Sequence, residues 1–325
     1  MIWQPFADRL EAMRNVEALS LTWRRWDDTH GYWRCRLDVS DGRGPYCLNH
    51  EAHMRQFRYF DECGVAVRDY GRGAGRVATP VRVATYALAL WNLRLAESGG
   101  HDQAFMVQAQ HLRTSMVEDG PLAGGLPYRL VWPSYALPTP FFSAIGQGYG
   151  ISVMLRAHEL SGQADFIAAA RAMARFLAVS IGDGGTCRWI DGVTRFFEEA
   201  PTRERPSFIL NGHCIALIGL WELYNRLGER WVGDLLDTGV AGLRISVDRF
   251  DVGRWSLYDL YQRRWPNWAS VGYHNLHVEL LRLAEAQWGC GILRDTRCRW
   301  ERGLKDPLVR SRASARKILH KALFY

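Results

Sequence analysis

From Pro80 onward, apolar residues recur at helical spacing in about eight segments, which start near residues 80, 101, 143, 164, 206, 228, 273 and 291 and come in pairs. Counted from the first segment of each pair, the interval is roughly 63 residues twice and then about 67, a coarse period of helix, short turn, helix and long loop. Such a rhythm implies stacked helical hairpins, because one hairpin alone leaves an apolar face that only a neighbour covers. The clearest pair runs from Phe141 to Leu160, stops at Ser161-Gly162 and resumes in the alanine-rich stretch Ala164 to Val179. Glycine just past the last periodic residue is an ordinary helix stop. The predicted fold class is all-α, an (α/α) barrel or toroid of about four helical hairpins with its long loops on one rim.

The first 79 residues lack this period. Tyr32 to Leu37 alternates like a strand, and Gly71-Arg-Gly-Ala-Gly75 has the composition of a flexible connector. The expected organisation is an N-terminal arm with a small β-hairpin at 1–79, an (α/α) domain at 80–305 and a basic amphipathic tail at 306–325. The glycines at 71, 73 and 75 lack the last spacing of a dinucleotide fingerprint and any strand–helix repeat around them, so they are not read as a nucleotide loop. In the tail, Arg310, Arg312, Arg316, Lys317 and Lys321 accompany an apolar face of Ala315, Ile318, Leu319, Ala322 and Leu323. Two readings stand: peripheral contact with an anionic membrane surface, or a solvated helix packing its stripe on the body.

With 48% hydrophobic and 12% aromatic residues, the chain has ample material for a packed core. No stretch is apolar enough to span a bilayer, since even Phe208 to Tyr224 is interrupted by Asn211, His213 and Glu222. The start of the chain lacks the pattern of a secretory signal, and the seven scattered cysteines suggest neither a disulfide framework nor a zinc site. The expected location is cytoplasmic, or peripheral at the inner face of the membrane. A formal charge of +7 favours an anionic partner, and nucleic acid is the weaker choice because the basic residues of the tail lack interleaved aromatics.

The long connections, roughly 118–142, 179–205 and 248–272, are where function is expected. Glu199, Tyr258 and Tyr273 sit at loop–helix boundaries and supply a carboxyl and two phenols, a set able to move protons to and from carbon. Arg203 and Arg205 follow Glu199, while Arg254 and Arg263 flank Tyr258; guanidinium groups take a carboxylate through two parallel hydrogen bonds. Asn211 is a polar group on an apolar helix, equally open to capping and to substrate contact. Gln147 and Tyr149, within Gln147-Gly-Tyr-Gly150, allow close approach of a sugar or of another helix, with substrate contact favoured. His274 and His277 are three residues apart without a third ligand, so His274 is read as a hydrogen-bonding residue beside the site and no metal is expected. Trp132, Trp189 and Trp255 are the candidates for stacking on sugar rings.

The wording around these residues carries a resemblance. Glu198-Glu199-Ala-Pro-Thr202, then Pro206-Ser-Phe-Ile-Leu-Asn211-Gly212, then Trp255-Ser-Leu-Tyr258-Asp-Leu260, then Tyr273-His-Asn-Leu-His277 resembles the catalytic region of the D-glucuronyl C5-epimerases. These convert glucuronic to iduronic acid within a polysaccharide, and the likeness runs from about Tyr59 to Trp300. It implies an (α/α) catalytic domain, an acidic polysaccharide partner, no cofactor, and a compact bacterial form that leaves homodimerisation open. It also implies Glu199 and Tyr273 as opposed proton handlers, with Tyr258 donating to the substrate, all converging on one sugar. The family reads Glu-Glu-Tyr-Pro-Thr where this chain has Ala200, so one alternative is a catalytically inactive glycan-binding homologue; the other is a uronate polysaccharide lyase, because the same carbanion can expel the oxygen at C4.

Overall fold

The computed structural model describes residues 32–38, 41–71, 74–97 and 99–324. Among these are nine α-helices: α1 (Pro80–Ala96), α2 (Asp102–Ser115), α3 (Ala144–Ser161), α4 (Ala164–Phe176), α5 (Leu210–Leu227), α6 (Arg230–Ser246), α7 (Val271–Trp288), α8 (Gly291–Lys305) and α9 (Pro307–Phe324). The strands are short: β1 (Tyr59–Phe60), β2 (Ala66–Asp69), β3 (Arg76–Val77), β4 (Pro127–Tyr128), β5 (Phe141–Phe142), β6 (Cys187–Trp189) and β7 (Arg195–Phe197). The all-α, hairpin-built fold class read from the sequence holds, and most helices begin within two residues of their expected starts. The segment expected to turn helical at 206 stays extended to Ile209, because Phe208 takes a left-handed backbone (φ +44) that no helix accommodates.

The chain divides into two compact units, one of residues 36–245 and one whose described residues are 32–35 and 246–324. In the larger unit three hairpins, α1–α2, α3–α4 and α5–α6, are arranged so that α3 packs against both α1 and α5. Glycines permit the closest of these approaches. A Cβ at Gly148 would lie 2.3 Å from the Ile215 carbonyl oxygen, and one at Gly219 would lie 2.5 Å from that of Gly148. The neighbour that Gly148 admits is therefore a helix and not a sugar. Deeper between α3 and α5, Arg156 meets Glu222 through two hydrogen bonds of 3.0 and 2.8 Å, with side chains 0% and 1% exposed.

The N-terminal β-structure is a three-stranded antiparallel meander, β1–β2–β3, within the larger unit. It lies at 59–77 and not at 32–37. Tyr32 to Leu37 forms bends with a single bridging residue, Cys35, because the Trp33 and Cys35 amides donate to the Asn275 and Glu279 side chains on α7. The described ends of the expected flexible connector, Gly71 and Gly75, frame the β2–β3 turn, each with positive φ. Two of the long connections are also more ordered than loops, since they fold into the hairpins β4–β5 and β6–β7.

In the smaller unit α7 and α8 form a hairpin, and α9 packs on both. Trp255, Val271, Leu304 and Ala313 make a core that joins the 248–270 connection to α9. The tail is helical as expected, but it buries a different face. Ala313, Lys317 and His320 point inward, while Ala315, Leu319 and Leu323 of the expected stripe are exposed.

Candidate active site

Glu199 emerges just past β7, and its position is set by three neighbours within the larger unit. His213 on α5 accepts the Phe197 amide through Nδ1 (3.0 Å) and donates from Nε2 to the Gly239 carbonyl (3.1 Å), with its ring stacked 4.1 Å from Phe196. That bonding fixes the neutral tautomer, and burial pushes the imidazole down to about 3. Glu198, also fully buried, binds Arg188 at 2.6 Å and accepts the Phe208 amide at 2.9 Å, holding Phe208 in its strained backbone; burial raises its carboxyl despite the arginine. The Ala144 amide donates to the Glu198 carbonyl (3.0 Å), joining the end of β7 to the start of α3.

With its anchors fixed, Glu199 is 7% exposed and accepts from Asn211 Nδ2 at 3.0 Å. The glutamate lies directly over Gly212, where a Cβ would fall 2.4 Å from the Glu199 Cβ. Asn211 thus positions the carboxylate, and its own Oδ1 is buried without a hydrogen-bond partner, as is Oε1 of Gln147. Orphaned acceptors of this kind suit hydroxyl donors from outside the chain. Tyr128 on β4 adds a phenol: its hydroxyl accepts the Val81 amide at 3.2 Å, and burial, reinforced by the negative charge of Glu199, holds it well above its ordinary value. This residue was missed from the sequence; the signal available was its place in Gly124-Gly-Leu-Pro-Tyr128. Ala200, the departure from the expected Glu-Glu-Tyr-Pro-Thr wording, is 0% exposed and so enclosed.

In the smaller unit, Tyr258 and Tyr273 meet edge to face, ring centroids 4.8 Å apart at 73°. Tyr273 opens the first turn of α7, its amide bonded to the capping Ser270 hydroxyl, and its side is the more open, at 37% exposure. Tyr258 is half-buried, and its amide donates to the Asn267 carbonyl at 2.7 Å. Behind the pair runs a buried polar chain. Lys317 Nζ donates to Asn267 Oδ1 (2.7 Å), Asn267 Nδ2 to Asp259 Oδ2 (2.7 Å), and Arg263 binds both Asp259 oxygens (3.0 and 3.1 Å). The Lys317 ammonium also lies 5.1 Å from the centroid of the Tyr258 ring. No reading of the sequence put Lys317 here, because it was counted among the surface charges of the tail.

Several expected substrate ligands are committed elsewhere. His274 is 0% exposed and stacked 3.7 Å from Trp255; Nε2 faces the Trp300 carbonyl, while Nδ1 faces the Ser256 amide and hydroxyl. Both ring nitrogens are used within the protein, so it is a pillar of the loop and not a sugar ligand. Trp255 is buried with it. Tyr149 packs its ring against Tyr46 and His50 in the core. Arg263 is held by Asp259, and Arg254, half-exposed, pairs with Asp306 at 2.9 Å. Arg203 and Arg205 are exposed, and Arg203 touches the Gly182 carbonyl at 3.3 Å. Trp189 is 44% exposed with Arg195 over its ring, and Trp132, partly buried, packs against Tyr135.

Residues 123–302 match the family described as the D-glucuronyl C5-epimerase C-terminus. A D-glucuronyl C5-epimerase of Caenorhabditis elegans is 29% identical over 210 residues, which take in 60% of this chain and 33% of that protein. An uncharacterized protein of Methanocaldococcus jannaschii is 22% identical over 152 residues, 46% of this chain and 48% of its own. The chain therefore spans only a third to a half of the length of these relatives. A solved structure titled UGL, holding dGlcA-Glc-Rha-Glc, superposes at a TM-score of 0.43 with 12% identity, covering 66% of this chain and 60% of that one.

Proposed function

This chain belongs to the D-glucuronyl C5-epimerase C-terminal family, and from that premise we propose that it inverts C5 of glucuronate residues within an acidic polysaccharide, giving iduronate. The reaction removes the proton beside the sugar carboxylate and returns one to the opposite face of the ring. Its barrier is the carbanion, which hydrogen-bond donors and cations stabilise as charge moves onto the carboxylate oxygens.

In this reading Glu199 and Tyr273 are the two proton handlers. Tyr258 steadies Tyr273 and donates to the substrate, Asn211 orients the Glu199 carboxylate, and exposed Arg203 is the guanidinium available to a uronate carboxylate. The observation that supports the reading most is the edge-to-face pair of Tyr258 and Tyr273, with Tyr273 open to solvent and a buried cation behind Tyr258. A phenol is a serviceable acid at neutral pH but a poor base unless positive charge stands near it.

The test is proton NMR in heavy water with heparosan-type oligosaccharides. C5 deuterium incorporation together with iduronate signals is expected. Glu199→Gln, Tyr258→Phe and Tyr273→Phe are each expected to lower exchange by about a hundredfold or more. No exchange in the wild type defeats the proposal, and an unsaturated, ultraviolet-absorbing product would make the protein a lyase instead.

A further inference from the structure

The C-terminal helix brings into the interior a lysine that its sequence gave no reason to place there. Lys317 is 7% exposed, on the face of α9 that also buries Ala313 and His320. Its stem crosses the packed layer, and its nitrogen has two neighbours of note: Asn267 Oδ1 at 2.7 Å and the face of the Tyr258 ring at 5.1 Å. Asn267 is the same residue that holds the Tyr258 backbone amide. Backbone and ring of Tyr258 are thus both tied to one lysine–asparagine unit. An apolar side chain would fill this space more cheaply, since a buried ammonium needs compensating partners.

We propose that Lys317 is a positioning residue for Tyr258, fixing its backbone through Asn267 and its ring through the adjoining ammonium, so that loss of the lysine's proton alters how the Tyr258 hydroxyl is presented. The inference rests on the proposed catalytic role of Tyr258 and extends the working site to the last helix of the chain. A positive charge against the ring stabilises phenolate relative to phenol, and loss of that charge removes the stabilisation.

The surroundings of the amine decide when the charge is lost. Burial lowers Lys317 to about 7; Asp259 opposes the shift, while Lys321 and Arg263 add to it. His320 on the same helix and His277 on α7 also feel the lysine charge, but burial holds His320 near 3 and His277 well below its ordinary value, so both are neutral at working pH. Lys317, brought down to about 7, is therefore a group whose charge changes near neutrality against the Tyr258 ring.

Three variants test this. Lys317→Gln keeps a donor toward Asn267 without charge, Lys317→Met removes both, and Lys317→Arg keeps a charge that does not titrate below pH 12. The first readout is independent of catalysis: NMR of [13Cζ]tyrosine, with the Tyr258 signal assigned by its absence in Tyr258→Phe. In the wild type the Tyr258 signal is expected to shift with pH through a step near 7, where the neighbouring ammonium loses its proton, and that step is expected to be absent in all three variants. The second readout is the pH profile of C5 exchange. The wild type is expected to have a limb near pH 7 that is missing in all three variants, with Lys317→Gln lowering kcat about tenfold or more and KM little changed.

A wild-type Tyr258 signal without that step, or a step that persists in folded Lys317→Gln, overturns the inference. So does a lowered rate with the wild-type profile shape, which would make the lysine merely structural. If exchange is absent throughout but the step appears in the wild type alone, the proposed function fails while the contact between lysine and tyrosine stands.

Discussion

Glu199 rests on Gly212 so closely that a methyl group on the glycine would lie 2.4 Å from the Glu199 Cβ and 2.6 Å from its Oε2. Asn211, one residue earlier, grips the same carboxylate oxygen at 3.0 Å. The first turn of α5 is therefore a seat for one carboxyl group, which gives Asn211-Gly212 a mechanical meaning.

Gly212→Ala is expected to lift Glu199 out of this seat. Overpacking of this type costs about 1–3 kcal/mol, readable by urea denaturation. C5 exchange is expected to fall by about a hundredfold or more, because a displacement on the order of 1 Å is enough to spoil proton transfer. Unchanged exchange would separate the seat from the chemistry.

Tyr128→Phe removes the acceptor for the part-buried Val81 amide at the start of α1. An unsatisfied amide costs about 1–3 kcal/mol, so the variant is expected to melt at lower temperature. It also removes a buried phenol that feels the Glu199 charge, and a drop in exchange that exceeds the lost fraction of folded protein would place that phenol in the reaction.

Arg156 and Glu222 form a pair that is essentially closed to water. Arg156→Met or Glu222→Leu alone is expected to destabilise by about 3–5 kcal/mol, because each leaves its partner's charge uncompensated in the interior. The double variant Arg156→Met/Glu222→Leu should recover much of the loss, and a thermodynamic cycle of denaturation midpoints measures this. No recovery would mean that the pair does more than neutralise itself.

Buried histidines and Lys317 predict a stability profile whose sign is the same on both sides of neutrality. His50, His213 and His274 are held near 3 by burial, so the unfolded chain binds their protons first as pH drops below about 6.5. The stability they contribute as neutral groups is present above 6.5 and is lost progressively between there and 3. Lys317, lowered to about 7, also takes fewer protons folded than unfolded between 7 and 10.5. Its penalty is full below 7 and fades as pH rises through that window. Urea midpoints are thus expected to fall steeply from pH 6.5 to 4. From pH 7 to 9 the wild type should gain on Lys317→Met, a comparison that cancels other titrating groups.

Much of the site's wording was visible in the chain. Glu199, Tyr258, Tyr273 and Asn211 stand at loop–helix boundaries, where polar groups break an apolar pattern, and the structure keeps Glu199 bonded to Asn211 and Tyr258 packed against Tyr273. The companions read with them fared differently. Arg263 and Arg254 had been set aside for a substrate carboxylate, but Asp259 and Asp306 hold them, and spacing along the chain does not reveal which carboxylate a guanidinium meets. His274 and Tyr149, both expected beside the substrate, pack inside instead: the histidine has a stacking partner and both nitrogens satisfied, and the tyrosine ring lies against Tyr46 and His50.

By itself the sequence determined the paired helices. Apolar spacing, with glycine stops at Gly162 and Gly228, acts within a few turns of chain and needs no distant partner to be expressed. Tertiary structure alone decided which face of the last helix goes inward. Hydrophobicity favoured Ala315, Leu319 and Leu323, yet the helix buries Ala313, Lys317 and His320. An amide oxygen from Asn267 and the face of Tyr258 await the lysine there, and partners of that kind come from 50 and more residues away in the chain, where no local pattern reaches.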